Sequence, residues 1–363
     1  MSNTGKKKGI LISIIGFSQG GAEIMPIRIA NELHRQGYRV GIHCLTKDGD
    51  DVIRSFLDKG ISVHYTDRAS AFASLVLLKR YGVIHTHCVA SQQLVARAKK
   101  KVPFLSIYHV ATSHGGYEGL EEKDALRVIR EVDSAVNVWT YVAENNKETF
   151  IKAGIPDNKL VKIGNAIQQI GEITPVPLSQ YGIPEDAIVF TVISRAVWKK
   201  SWKECIKTIA EARKITGKNI HLILGGTGPI YDELIKQDLD EYIHLIGAVS
   251  DPCGIYRSSY CGLLLSVREC APLGIIEMYQ AGIPVVATDT GDVREMVETE
   301  YGIAGTVVPL DNNGAVPVIK AAEAVAEMVI NHAYYEQCKR IAPKNSGKYK
   351  IESIVEKYIE CYI

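Results

Sequence analysis

At about 100–200 residues per domain, a chain of 363 residues reads as two domains, each with its own core. With 46% hydrophobic and 23% charged residues, the composition excludes a disordered chain, a collagen-like repeat and a small disulfide-stapled scaffold. The longest apolar runs, residues 9–17 and 261–267, are strand-sized and fall short of the ~20 residues that cross a bilayer. A net charge of +1 conceals a division: residues 1–168 carry 23 basic and 16 acidic side chains, whereas residues 169–363 carry 19 and 25. The first half, at +7, either meets something anionic, such as lipid head groups, a phosphorylated acceptor or nucleic acid, or simply carries scattered solvated charge. No basic motif with interleaved aromatics supports nucleic acid. Lys6, Lys7 and Lys8 are not followed by the apolar stretch and cleavage site of a signal peptide. The eight cysteines form no C-x-x-C pair and five lie in or beside apolar runs, so buried reduced thiols in a cytoplasmic protein are expected, with neither disulfides nor zinc.

In chain order, β-branched runs alternate with helix-length amphipathic segments, the pattern of parallel sheets flanked by helices. The first strand is predicted at residues 10–15, followed by the turn Gly16-Phe17-Ser18-Gln19-Gly20-Gly21, whose glycines let a ligand approach the backbone. Its spacing is not the G-x-G-x-x-G of a nicotinamide or flavin site. A helix follows over 24–35, with Pro26 tolerated in its first turn. Further strands are predicted at 39–45, 62–65, 83–87 and 104–109. His85 and His87 share one face of a strand as two metal ligands would, but without a third ligand a structural role is favoured. His114, in a polar loop, is balanced between closing over an acceptor and lying inert on the surface. Residues 171–184 hold three prolines and no periodicity and read as the linker.

The alternation restarts with strands at 188–194, 220–224, 243–246, 262–266 and 284–288. Arg195 and Lys200 follow the first of these; on their own they read as ordinary charges of a solvated loop, and in company they are suited to a diphosphate as a planar fork and a point charge. A glycine-rich turn, Gly225-Gly226-Thr227-Gly228, follows the second. After the fourth comes Glu269, the small turn Cys270-Ala271-Pro272, and a mostly apolar helix carrying Glu277. The amides of Ala271 and Leu273 are suited to a phosphate at that helix start, whereas Pro272 offers none. Glu277 is costly to bury unless strong donors such as vicinal sugar hydroxyls meet it. The last segment, 351–362, is an amphipathic helix.

Glu269, seven intervening residues, Glu277, then Gly282-Ile283-Pro284-Val285-Val286-Ala287 resemble the retaining family 4 glycosyltransferases of the GT-B fold. The resemblance extends to Gly20-Gly21-Ala22-Glu23, Val83-Ile84-His85-Thr86-His87, His109, Asn165, Arg195 with Lys200, Gly226-Thr227-Gly228-Pro229 and Ile246-Gly247-Ala248-Val249-Ser250-Asp251, so it covers nearly the whole chain. It implies an α/β GT-B architecture of two Rossmann-like doubly wound domains facing a central cleft. Residues 1–170 with the helix 350–363 would form the acceptor domain, 171–184 the linker and 185–349 the donor domain.

The resemblance also implies roles. Arg195 and Lys200 would hold the donor diphosphate and stabilise it as it leaves, and Glu277 would bind ribose. Glu269 would contact the transferred sugar, and the backbone near Val249 would read the base. Gly226, Ala271, Pro272 and Leu273 would line the donor site, with Gly20 and Gly21 approaching the donor phosphate. His109 would contact the donor sugar; His87 and His114 would stand on the acceptor side. No metal or other cofactor is expected. The implied reaction moves a sugar, with retention, from a UDP-sugar to a glycan or lipid-linked acceptor in surface polysaccharide or glycoconjugate synthesis. Separately from the resemblance, the basic excess of the first half, including Arg97, Lys99, Lys100 and Lys101, is expected to dock it peripherally on an anionic membrane surface or on a phosphorylated lipid carrier. Cys270-Ala271-Pro272 replaces the family's commoner Gly-Phe-Gly, Asn165-Ala166-Ile167-Gln168 lacks its usual Gly and Asp, and Trp198 is unusual; these departures bear on donor identity. A non-hydrolysing sugar-nucleotide epimerase of the same fold and a catalytically silent sugar-nucleotide-binding protein are the alternatives.

Overall fold

The computed structural model describes residues 9–18, 21–115, 117 and 120–362, with Gly21 and Ala22 described by their backbone alone. The chain divides into two compact units, Met1–Gln168 with Ile351–Ile363, and Gln169–Lys350. In the first unit, strands and helices alternate as β1 (Gly9–Ile14), α1 (Gly21–Arg35), β2 (Val40–Cys44), α2 (Asp51–Ser55), β3 (Ser62–Tyr65), α3 (Ala69–Lys79), β4 (Tyr81–Thr86), α4 (Val89–Lys101), β5 (Tyr108–Ser113), α5 (Glu122–Asp133), β6 (Val138–Tyr141), α6 (Glu144–Ala153) and β7 (Leu160–Lys162). Their order across the sheet is β3-β2-β1-β4-β5-β6-β7, and every pairing is parallel. With helices on both faces, β1 and β2 are buried at every residue, which is why they read as unbroken apolar runs.

The second unit repeats the plan with β8 (Ile188–Ile193), α7 (Trp202–Thr216), β9 (Ile220–Gly225), α8 (Pro229–Leu234), β10 (Ile243–Gly247), α9 (Pro252–Arg257), β11 (Cys261–Leu264), α10 (Leu273–Gln280), β12 (Val285–Thr288), α11 (Val293–Val297), the short hairpin β13 (Glu298–Thr299) and β14 (Gly302–Ile303), β15 (Gly305–Val308), α12 (Val318–Ile330) and α13 (His332–Ser346). Its six parallel strands run β10-β9-β8-β11-β12-β15. Finally α14 (Ile351–Glu360) belongs to the first unit, packing on α1 through Ile351, Ile354, Val355 and Tyr358.

In each sheet the strand order reverses once, between β1 and β4 and between β8 and β11. The loops leaving the carboxyl ends of those two strands diverge, and the crevice they leave is where doubly wound sheets bind ligands.

Three expectations need correcting. The strand predicted at 104–109 is β5, four residues further on, because Phe104 lies outside the sheet and exposed. Pro26 is the sixth residue of α1 and not in its first turn, since the helix begins at Gly21. Residues 171–184 do not hang free: Val176 donates to the Gly254 carbonyl, and Ile183 is buried in a cluster with Val176, Leu178 and Tyr181 against the second unit. Strands β6, β7 and β15 were not foreseen. All eight cysteines are reduced, and all but Cys88 are buried. Among the described residues no helix is long and apolar enough to cross a membrane.

Candidate active site

In the second unit the site is built at the reversal between β8 and β11. The chain leaves β8 through Ser194, Arg195 and Ala196 into a single 3-10 turn, Trp198–Lys200, then enters α7 through Ser201, a non-glycine residue in the left-handed region (φ 52°, ψ 40°). That conformation is uncommon outside glycine. It is held by neighbours: Trp202 is buried and donates its indole N–H to Ser194 Oγ at 2.9 Å, and the Val267 amide donates to the Lys199 carbonyl at 3.0 Å. The second bond ties the loop after β8 to the loop after β11. Lys200, 18% exposed, thereby reaches Glu269, 10% exposed, and its ammonium donates to the carboxylate. Arg195 is exposed, and among the described residues no ion pair or side-chain hydrogen bond holds its guanidinium.

The loop carrying Glu269 is pinned from behind. Thr288 Oγ1 donates to the Ser266 carbonyl, and the Asp292 amide donates to the Cys270 carbonyl at 2.8 Å. Gly291, at φ +55°, lies so close that a Cβ would meet the Glu269 and Cys270 carbonyls. The turn then enters α10 over Pro272, without a side-chain cap. The first amides of α10 are therefore available to an anion, with the helix dipole behind them. Leu273, Ile275, Ile276, Met278 and Tyr279 seal the buried face of α10; Gly274, Glu277 and Gln280 form the half-buried stripe. Burial holds the Tyr256 phenol well above its usual range, and the nearby Glu277 carboxylate adds to the effect. After β9, Gly226 (φ +132°) and Gly228 (φ +138°) pass the Ser194 and Ala196 carbonyls so closely that no Cβ fits. Val249, half-buried after β10, packs at the same strand-end edge.

In the first unit, the carboxyl ends of β4 and β5 bring His87 and His114 together, with Nδ1 of the first 2.9 Å from Nε2 of the second and the rings stacked. Burial pushes His87 well below the usual imidazole range, with His85 and His114 adding to the effect. It also pushes His114 down to about 4, against a raising hydrogen bond from Asn165. Behind them His85 is fully satisfied, by Tyr362 Oη at 2.8 Å and Thr112 Oγ1 at 2.6 Å, and Thr112 continues to Thr140 Oγ1 at 2.5 Å. This buried network ties the segment after α14 to the centre of the sheet and confirms His85 as structural. The sequence reading missed its threonine and tyrosine members, because hydroxyls in central strands carry no spacing signal.

His109 is the second correction of substance. It does not end a strand: it is the second residue of β5, at the opposite edge of the sheet from His87 and His114. Its Nδ1–H donates to the Ala135 carbonyl at 3.0 Å, its Nε2 accepts from Thr86 Oγ1 at 2.9 Å, and burial lowers its pKa to about 3. With both ring nitrogens engaged and no exposure, it is a core residue. The strand-end histidine is His114. Gly20 lies outside the described residues; Gly21 is the first residue of α1.

Two parallel doubly wound units, the first completed by a returning C-terminal helix, define the GT-B fold, and at one switch point the second unit brings together a lysine, a carboxylate and a helix start. Residues 19–168 match the model of Glycosyltransferase Family 4 and residues 187–329 that of Glycosyl transferases group 1. The chain belongs to this family of glycosyltransferases. It is 30% identical over 203 residues, 52% of this chain and 49% of the other, to an uncharacterized glycosyltransferase of Methanocaldococcus jannaschii; that match spans about half the length of the relative. It is 26% identical, over 71% of this chain and 72% of the other, to the UDP-Gal:alpha-D-GlcNAc-diphosphoundecaprenol alpha-1,3-galactosyltransferase of Escherichia coli. In fold it is similar to the Anabaena protein HepE in complex with UDP-glucose, with a TM-score of 0.82 at 17% identity, covering 97% of this chain and 98% of that one.

Proposed function

We propose that the second unit binds a nucleotide diphosphate sugar, most simply a UDP-sugar, and that the enzyme transfers the sugar with retention to a glycan or lipid-linked acceptor in surface polysaccharide or glycoconjugate synthesis. The observation that carries this reading is the convergence of Lys200, Glu269 and the uncapped start of α10 at the β8–β11 reversal. The diphosphate would take the α10 amides and the charges of Arg195 and Lys200, which neutralise the leaving group without a metal. Glu277 would accept from the ribose hydroxyls and Glu269 from the sugar, with the loop around Val249 beside the base. In a front-face step the bond from the anomeric carbon to the phosphate oxygen breaks, and the acceptor oxygen bonds to the same face. The acceptor proton passes to the departing phosphate oxygen, so neither carboxylate need act as nucleophile. His114, in place of His109, would contact the donor sugar. His87 would stand beside it on the acceptor side, and the basic first unit would meet an anionic membrane. That the relative from Escherichia coli uses a diphosphoundecaprenol-linked acceptor supports a lipid-linked acceptor here.

The test is a thermal-shift panel of nucleotide sugars and NAD, since a ligand that binds only the folded state raises its melting temperature. A UDP- or GDP-sugar is expected to stabilise the protein; stabilisation by NAD alone would overturn the reading.

A further inference from the structure

The segment from Arg68 to Tyr117 contains seven lysines and arginines and not one aspartate or glutamate, and its two helices expose apolar side chains. Helix α3, ASAFASLVLLK, is apolar around nearly its whole circumference. A helix of that kind normally lies buried on every side. Here Ala69, Phe72, Ala73 and Val76 face the core shared with α4, while the outer face of Ser70, Ala71, Ser74, Leu77 and Leu78 is open to solvent. Leu78 is 80% exposed, and Phe104, just after α4, is 76% exposed. Both helices pack side by side and both end at the sheet edge where β4 and β5 begin.

Exposed cations flank these side chains along the chain. Lys79, Arg80, Arg97, Lys100 and Lys101 are exposed, and Arg39 clamps the end of α3 by donating to the Lys79 and Arg80 carbonyls at 2.6 Å each. Lys99, expected to join them, is turned inward onto the Ala135 carbonyl at 2.9 Å.

We propose that this face, Leu77, Leu78 and Phe104 flanked by Lys79, Arg80, Lys100 and Lys101, is a docking surface for an anionic lipid bilayer. The inference deepens the reading above by naming the part of the first unit that meets the membrane. Charge complementarity selects the occupant: these cations have no carboxylate within their own fifty-residue segment, which suits a negative leaflet. The apolar tips are too few for a stable protein interface but suited to shallow insertion among head groups, with lysine stems lying along the boundary. The surface lies a strand's length, about 20 Å at ~3.3 Å per residue, from the His87–His114 edge, so docking leaves that edge open.

The experiment is co-sedimentation of the full chain with vesicles of phosphatidylcholine alone and with about one-third phosphatidylglycerol, at low and high salt. The wild type is expected to bind only the anionic vesicles and to be released by salt. Leu78→Ser with Phe104→Ser, and separately Lys100→Glu with Lys101→Glu, should each weaken partitioning by about tenfold or more. Nucleotide-sugar stabilisation should be unchanged in both, so loss of donor binding and loss of membrane binding are read separately. Binding that ignores lipid charge, binding that survives both double variants, or a dimer in sedimentation velocity that the Leu78→Ser, Phe104→Ser protein lacks would each overturn the proposal.

Discussion

Lys200 and Glu269 pair with each other, and that pairing has consequences for the proposed donor binding. A part-buried ion pair broken from one side leaves the remaining charge poorly compensated. A bare nucleoside diphosphate would draw Lys200 from Glu269 and give the carboxylate nothing in return, whereas the sugar of a full donor offers it hydroxyls. Glu269→Gln is therefore expected to tighten UDP binding several-fold while weakening UDP-sugar binding, measured side by side by calorimetry; loosening of both together would contradict the pairing argument. For histidines the contrast is positional. His109→Gln should lower stability by roughly 1–3 kcal/mol through lost buried hydrogen bonds and leave the donor KM unchanged. His114→Ala should lower kcat, beyond the modest stability loss from its broken contact with His87. Denaturant titration with steady-state kinetics separates the two. Arg195, Lys200, Glu269 and Glu277 stood out in the sequence through the family resemblance, and the structure brings Lys200 and Glu269 of these together. That Lys200 rests on Glu269 was not legible there, since the bond between the Val267 amide and the Lys199 carbonyl that brings them together leaves no mark on residue types.

Elements were legible where apolar runs were long and failed where polar side chains were internally satisfied. Strand β5, YHVATS, holds Thr112 and Ser113, which read as loop, while the preceding Phe-Leu-Ser-Ile alternates like a strand. The sheet tolerates the polar residues because Thr86, His85 and Thr140 on neighbouring strands bond to them. That misplaced register put His109 at the wrong edge. Strands β6 and β7 were missed because they are only four and three residues long. At the turn between β9 and α8 the reading was sound, and the structure gives it a magnitude. Gly226→Ala combines a φ of +132° with a Cβ against the Ser194 carbonyl, and should cost about 2–4 kcal/mol and distort the Arg195 loop. Gly217→Ala, at φ +63° with open space around it, should cost only about 1 kcal/mol. Thermal unfolding of both variants checks the difference.

Across the whole molecule the two units differ in their response to acid. The first buries His43, His85, His87 and His109, all with lowered pKa values through desolvation, to about 4 for His43 and about 3 for His109. Each is neutral when folded and free to protonate near 6.5 when unfolded. Their contribution is therefore complete above about pH 6.5 and is lost as pH falls towards the folded values, at about 1.4 kcal/mol per pH unit for each group. All four act in the same direction, so the first unit loses stability steeply as pH falls below about 6. In the second unit only His221 and His244 are shifted, and both are incompletely buried. Calorimetry from pH 7 to 4.5 should resolve a transition of the first unit that moves down steeply ahead of the other; two transitions that fall together would count against it. The division into a basic and an acidic half survives in these units, although α14 and its flanks return three glutamates and one lysine to the basic one. The claim on which the rest depends is donor activation by Lys200 at the β8–β11 reversal. Its most direct measurement is release of nucleoside diphosphate from the nucleotide sugar that stabilises the protein, for wild type, Lys200→Ala and His109→Gln. The rate should fall by about 100-fold or more in Lys200→Ala and stay near wild type in His109→Gln; equal rates in wild type and Lys200→Ala would contradict the account.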